Sequence, residues 1–195
     1  MRKRLSSKER RNEILEKSLE IIYKKGFYNL TMRNIAEKIN ISEAALYKHF
    51  KNKREIITKL ADQFFCHDDE ITKFDGDKNS IDKLKSMIKK QFEIFSKNPL
   101  ITVITFQEEI FREYPDIWNK FNYHREIREK ILRNIILEGK KNDEIIPEID
   151  EKSFSTLIMG AIRMTVIKWR GSDFSFSINE KGNDIINELL RNIKN

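Results

Sequence analysis

Along most of this chain, apolar residues return every three or four positions, the spacing of one face of an α-helix. The pattern is plainest at Met32, Ile35, Ala36 and Ile39, and again at Ile81, Leu84, Ile88, Phe92 and Phe95. It reappears at Phe154, Leu157, Ile158, Ala161, Ile162 and Thr165, then at Ile178, Ile185, Ile186, Leu189, Leu190 and Ile193. Ser6 and Glu9 make a capping-box pattern that opens a first helix, and Lys24-Lys25-Gly26 closes it. Two short helices follow between Thr31 and Phe50, and a fourth runs from Lys53 toward residue 71, ahead of the loop Asp75-Gly76-Asp77-Lys78-Asn79. A fifth covers roughly 80–97 before Pro99, a sixth roughly 100–113 before Pro115, and a seventh roughly 116–140. Asp150 caps an eighth to about Arg170, and a loop with Gly171 and Ser172 leads to a ninth over roughly 179–194. With six Gly and three Pro in 195 residues there are few breakers, so the chain reads as all-α with about nine helices.

Residues 31–50 are the most informative stretch: Thr-Met-Arg-Asn-Ile-Ala-Glu-Lys-Ile-Asn-Ile-Ser-Glu-Ala-Ala-Leu-Tyr-Lys-His-Phe. Thr31 and Ser42 each stand where a hydroxyl can satisfy an orphan N–H of an opening helical turn. Between the helices lies Asn40-Ile41, and Asn tolerates the left-handed backbone that a sharp turn needs. Leu46 and Phe50 are four apart and point inward together, which leaves Ala44, Ala45, Tyr47 and Lys48 facing out. Small residues, a phenol and a lysine on an exposed helix suit a DNA groove. Ala44, Ala45 and Tyr47 are expected near base edges and Lys48 at a phosphate. Thr31, Arg33 and Ser42 at the opening turns, and Lys53 at the head of the next helix, complete the expected contact set. His49 belongs to it either as a direct contact or as a ring packed beside Phe50.

Charge agrees with that placement. Residues 1–60 hold 16 Lys and Arg against 7 Asp and Glu, out of 38 and 31 in the chain, leaving 22 against 24 for residues 61–195. The positive excess therefore sits with the helix pair, as expected of a phosphate-binding module joined to a neutral one. Arg2, Lys3 and Arg4 are either a basic arm touching DNA or a disordered tail. A single cysteine, Cys66, rules out an intrachain disulfide and suits a reducing cytoplasm. No apolar run approaches the ~20 residues that cross a membrane, and no apolar stretch follows the basic start to make a secretory signal.

Residues 11–57 resemble the N-terminal domain of the TetR/AcrR family of bacterial transcriptional regulators. The resemblance runs from the entry helix Ile14-Leu15 to Ile21-Ile22 and its stop Lys25-Gly26-Phe27, through Leu30-Thr31-Met32-Arg33-Asn34-Ile35-Ala36. It continues over Ile41-Ser42-Glu43-Ala44-Ala45-Leu46-Tyr47-Lys48-His49-Phe50 and Lys51-Asn52-Lys53-Arg54-Glu55. Asn40 departs from the family's usual glycine but can adopt the same backbone shape. The resemblance implies a three-helix helix-turn-helix DNA-binding domain over 1–52 and a helical effector-binding and dimerisation domain over 53–195.

One reading helix covers few base pairs, so a palindromic operator needs a homodimer with two heads a DNA turn apart. The expected dimer surface lies on the last two helices, with Phe154, Leu157, Ala161, Ile186, Leu189, Leu190 and Ile193. Gly160 and Ala161 there are small enough for close helix approach. The family also implies an inducer pocket for an apolar or aromatic small molecule, whose binding shifts the fourth helix and the spacing of the heads. Phe92, Phe95, Phe106, Trp118 and Phe121 are its expected apolar lining, with His124 and Arg163 as polar partners. Gln107, Glu108 and Arg128 are further polar candidates.

No glycine-rich phosphate loop, His-Glu-x-x-His or cysteine pair is present, so no enzyme and no cofactor is expected. Cys66-His67-Asp68-Asp69-Glu70 cannot converge on one metal, since neighbours on a helix point about 100° apart. The chain is thus expected to be a ligand-released repressor. The alternative is a DNA-binding protein without an effector, acting for example in chromosome organisation.

Overall fold

The computed structural model describes residues 5–74, 78–106, 111–191 and 193. Arg2, Lys3 and Arg4, the Asp75-Gly76-Asp77 part of the expected loop, and Gln107 and Glu108 lie outside the described residues. No strand occurs among the described residues. The chain divides into two compact units, one of Met1–Phe65 with Leu100–Trp118, the other of Cys66–Pro99 with Asn119–Asn195.

In the first unit, α1 (Ser7–Lys25) opens with the reciprocal capping box, Glu9 N–H to Ser6 Oγ at 3.2 Å and Ser6 N–H to Glu9 Oε2 at 2.7 Å. It stops at Gly26, whose φ of 81° is costly for any residue with a Cβ. Ile14, Leu15, Leu19, Ile21 and Ile22 form its buried face. A 3-10 turn, Phe27–Asn29, leads to α2 (Met32–Ile39) and α3 (Glu43–Tyr47). Then comes α4 (Lys53–Phe65), which buries Ile56, Ile57, Leu60 and Ala61. Phe27 meets Phe111 edge-on at 5.6 Å between ring centroids.

The fourth helix ends at Phe65, and a separate turn, α5 (Asp68–Thr72), covers part of the expected span. Within the expected helix over 100–113, the described residues form a 3-10 turn, Pro99–Ile101, and α7 (Thr102–Thr105), and Phe106 leaves helical geometry; residues 107–110 lie outside the described residues. The run Ile101-Thr102-Val103-Ile104-Thr105 is β-branched throughout, which weakens helix propagation beyond what burial of one turn offsets.

The second unit is built on α6 (Ser80–Lys97), the greater part of α8 (Pro115–Lys141), α9 (Glu151–Gly171) and α10 (Ile178–Leu190). Side-chain caps start three of them: Asn79 for α6, Asp150 for α9 and Ser177 for α10. Trp169 anchors the turn after α9, donating from Nε1 to the Phe176 carbonyl at 2.9 Å and meeting Phe174 edge-on. The Ile146 N–H donates to the Ile193 carbonyl at 2.9 Å and ties the end of the chain to the α8–α9 connection.

Close helix contact sets the geometry of this unit at Gly182. A Cβ on that residue would lie 2.3 Å from Phe92 Cδ2, so α10 meets the Phe92 ring of α6 only because the side chain is absent. Gly182→Ala is expected to lower unfolding stability by about 1–3 kcal/mol through overpacking, read as a lower urea midpoint at unchanged m-value.

Candidate DNA-reading surface

The reading head is assembled by caps and one left-handed residue. Thr31 Oγ1 accepts from the Asn34 N–H at 3.1 Å, and Ser42 Oγ from the Ala45 N–H at 3.1 Å, so each hydroxyl caps its own helix. Asn40 takes φ 55° and ψ 52°, and the Ile41 N–H donates to the Ala36 carbonyl at 3.0 Å, closing the turn. Leu46 and Phe50 are buried, while Ala44, Tyr47 and Lys48 are exposed and Ala45 is half-buried. Tyr47 exposes 49 % of its surface, a large apolar ring held out on a five-residue helix. Arg33 is also exposed, with Nε donating to Glu37 Oε1 at 2.9 Å one turn along α2.

A helix as short as α3 needs support from outside itself. Arg11 of α1 supplies it: its guanidinium donates to the His49 carbonyl, reaches Glu55 Oε1 at 3.1 Å, and lies 4.0 Å from the Phe50 ring centroid. Glu55 in turn accepts the Lys51 N–H at 2.7 Å. That amide chiefly holds the Glu55 carboxyl below its ordinary range; burial opposes the shift and Arg11 adds to it. One cation thus fixes the end of the reading helix, the loop after it and the start of α4. Arg11 stands 38 residues from His49, and no local pattern announces the contact.

His49 is half-buried, and its Nδ1 is buried without a hydrogen-bond partner among the described residues. Burial lowers its pKa, and Arg10, Arg11 and Lys48 lower it further. Lys53 is half-buried with Nζ 4.3 Å from the Phe27 ring centroid, and burial lowers its pKa against the pull of Glu113. Exposed Lys24, Lys25 and Lys38 line a groove of about 270 Å³ between α1 and α2 together with Glu20 and Glu37, and Lys38 Nζ pairs with Glu20 at 3.3 Å.

In the second unit, Phe92, Phe95 and Phe121 are buried and His124 and Arg163 half-buried. Phe106 and Trp118, both half-buried, belong to the first unit. The expected pocket residues are therefore divided between the two units. The expected dimer residues are divided too. Phe154, Ile186, Leu190 and Ile193 are buried within their own chain, because the apolar arcs of α9 and α10 are wider than one contact face. Leu157 is exposed and Ala161 and Leu189 half-buried, and Met164 and Ile167, which the pattern did not single out, extend the outer stripe of α9. Among the described residues, no three His, Cys, Asp or Glu side chains gather to hold a metal, and no helix is long and apolar enough to cross a membrane.

Three outcomes test this geometry. Arg11→Ala is expected to weaken DNA binding while the reading-head residues stay in place in sequence, and to cost about 1–3 kcal/mol of stability by leaving Glu55 and the His49 carbonyl short of a donor. Lys48→Ala should reduce the slope of log affinity against log salt by about one. Because the folded His49 pKa lies below its ordinary 6.5, the unfolded chain binds the extra proton first. The contribution of His49 is complete above that value and is lost as pH falls below it, so His49→Gln should flatten the stability profile in this acidic window.

Residues 14–60 match the sequence profile of bacterial regulatory proteins of the tetR family, and residues 58–192 match the C-terminal region of YsiA-like proteins. The fatty acid metabolism regulator protein of Bacillus subtilis (strain 168) is 25% identical over 187 residues, covering 94% of this chain and 95% of its own. The nucleoid occlusion factor SlmA of Vibrio cholerae is 24% identical over 172 residues, covering 86% and 87%. The transcriptional regulator FadR of Bacillus subtilis, solved in complex with stearoyl-CoA, superposes with a TM-score of 0.69 at 24% identity, covering 91% of this chain and 96% of its own. With both of its halves matched in order, the chain is a DNA-binding transcriptional regulator that belongs to the TetR family.

Proposed function

We propose that this protein is a homodimeric repressor held on a palindromic operator until an acyl-bearing small molecule releases it. The observation that carries the reading is the division of labour along the chain. The basic helix-turn-helix matches the regulators' N-terminal domain, and the near-neutral remainder matches the C-terminal region of YsiA-like proteins along almost its whole length. The fatty-acid-metabolism relative and the stearoyl-CoA-bound neighbour favour an acyl-CoA as the ligand class. Thr31, Arg33, Ser42, Ala44, Ala45, Tyr47, Lys48, His49 and Lys53 remain the proposed DNA contacts. A second reading, DNA binding in chromosome organisation without an effector, has the nucleoid occlusion relative in its favour.

The dimer follows from the outer face of α9. Leu157, Met164 and Ile167 expose 59%, 53% and 37% of their surfaces along one stripe, and Gly160 beside them has nothing within 4 Å of where a Cβ would stand. An apolar stripe next to a bare backbone suits a two-fold contact in which a second copy lays its own α9 across.

The experiment is fluorescence anisotropy on the duplex upstream of the protein's own gene, beside a scrambled duplex, across a salt series and with added acyl-CoA. The expected result is a preference of about a thousandfold or more for the native duplex, lost on adding ligand. Equal, steeply salt-dependent binding to both, unmoved by acyl-CoA, would favour the chromosome-organising reading. Leu157→Glu with Met164→Glu should give a monomer in sedimentation equilibrium and weaken operator binding by about a hundredfold or more, as two linked heads become one.

A further inference from the structure

Gln91 is the one polar side chain of α6 that sits in the middle of its apolar face. Only 5% of its surface is exposed. On the helix it is flanked at three and four residues by Met87, Ile88, Ile94 and Phe95, all buried. Its two ends have different fates. Oε1 accepts from Arg128 Nη1 at 2.9 Å, whereas Nε2 is buried with no acceptor among the described residues.

The orientation of the amide is fixed by chemistry. A guanidinium only donates, so turning the carboxamide over would set two donors against each other. Arg128 therefore holds Gln91 with its NH₂ group outward from their bond, and a buried donor without an acceptor carries a standing energetic penalty. An acceptor brought to that donor by a bound water or a ligand removes the penalty. The missing complement is a single hydrogen-bond acceptor, set among the apolar neighbours Met87, Ile88, Ile94 and Phe95.

We propose that Gln91, braced by Arg128, is the hydrogen-bond donor that reads the acyl oxygen of the effector inside the second unit. The inference rests on the ligand-responsive reading above and adds to it a named atom and the feature of the ligand that atom recognises. The shared chemistry is an acyl oxygen, which a thioester carbonyl or a fatty-acid carboxylate can both present. Gln91 acts as a specificity element: it selects ligands that carry oxygen at that point over equally apolar ones that do not.

The test is calorimetric titration of the full chain with butyryl-, lauroyl- and stearoyl-CoA, with the thioether analogue of the tightest binder in which a methylene replaces the carbonyl, and with the matching free fatty acid. Operator release is read in parallel, for the wild type and Gln91→Leu. The wild type should prefer the thioester over the thioether by about tenfold, and Gln91→Leu should bind both alike while melting no lower than wild type without ligand. Loss of fatty-acid binding in Gln91→Leu would extend the contact to carboxylates; unchanged fatty-acid binding beside a lost thioester preference would restrict it to the thioester. Equal wild-type affinity for thioester and thioether, or a preference that survives in Gln91→Leu, overturns the inference and leaves the repressor reading intact. Failure of every acyl ligand to bind wild type or release it from the operator overturns the ligand reading itself. If Gln91→Leu does not fold, Gln91→Met and the thioether comparison on wild type decide in the same way.

Discussion

The reading head depends on a single buried-edge cation. Five residues of α3 cannot hold a helix in water, and its own hydrogen bonds end at the Leu46 carbonyl. Arg11 reaches across from α1, bonds the carbonyl of His49, pairs with Glu55 and covers the face of Phe50. The interaction couples α1, the end of the reading helix and the start of α4. It also sets an upper limit on how far the reading helix can drift relative to α1, since any rotation of α3 must break a charge-assisted bond and uncover an aromatic ring. The exposed side chains Ala44, Tyr47 and Lys48 are thus presented from a rigid base, although the helix that bears them is barely longer than a turn.

Local chemistry makes much of this head legible in the sequence. Thr31, Ser42 and Ser6 cap where hydroxyls precede apolar periodicity, Asn40 is left-handed where a turn demands it, and Gly26 ends α1. These features are decided by residues within four positions of one another, so a linear reading reaches them. The Arg11 contact is long-range and has no such signature. The helix that ends at Thr105 departs from the linear reading for a different reason: the flanking prolines suggest a longer helix than the β-branched run Ile101 to Thr105 favours.

On α9 and α10 the difficulty was width rather than period. Both helices carry apolar residues on more than one face, and sequence alone does not say which arc is covered by the chain's own core. Phe154, Ile186 and Leu190 turn inward, and Leu157, Met164 and Ile167 turn out. Gln91 was hidden by the same logic. As one polar letter in a periodic run it reads as a boundary of the apolar stripe, yet it lies at the stripe's centre, where its amide has to be accounted for.

The exposed lysines of the first unit bear on what the proposed repression and its reversal would mean in space. Lys24, Lys25, Lys38 and Lys48 all stand exposed in the first unit. On the proposed reading, a small molecule seated in the second unit would neutralise none of them. Attraction to the phosphate backbone at large therefore survives the loss of fit to one operator. Departure from the proposed operator would then deliver the protein to neighbouring chromosome rather than to open solution, where it would slide and hop. Renewed binding once such a ligand is gone would start from a short one-dimensional search, with the regulator still near the site it left.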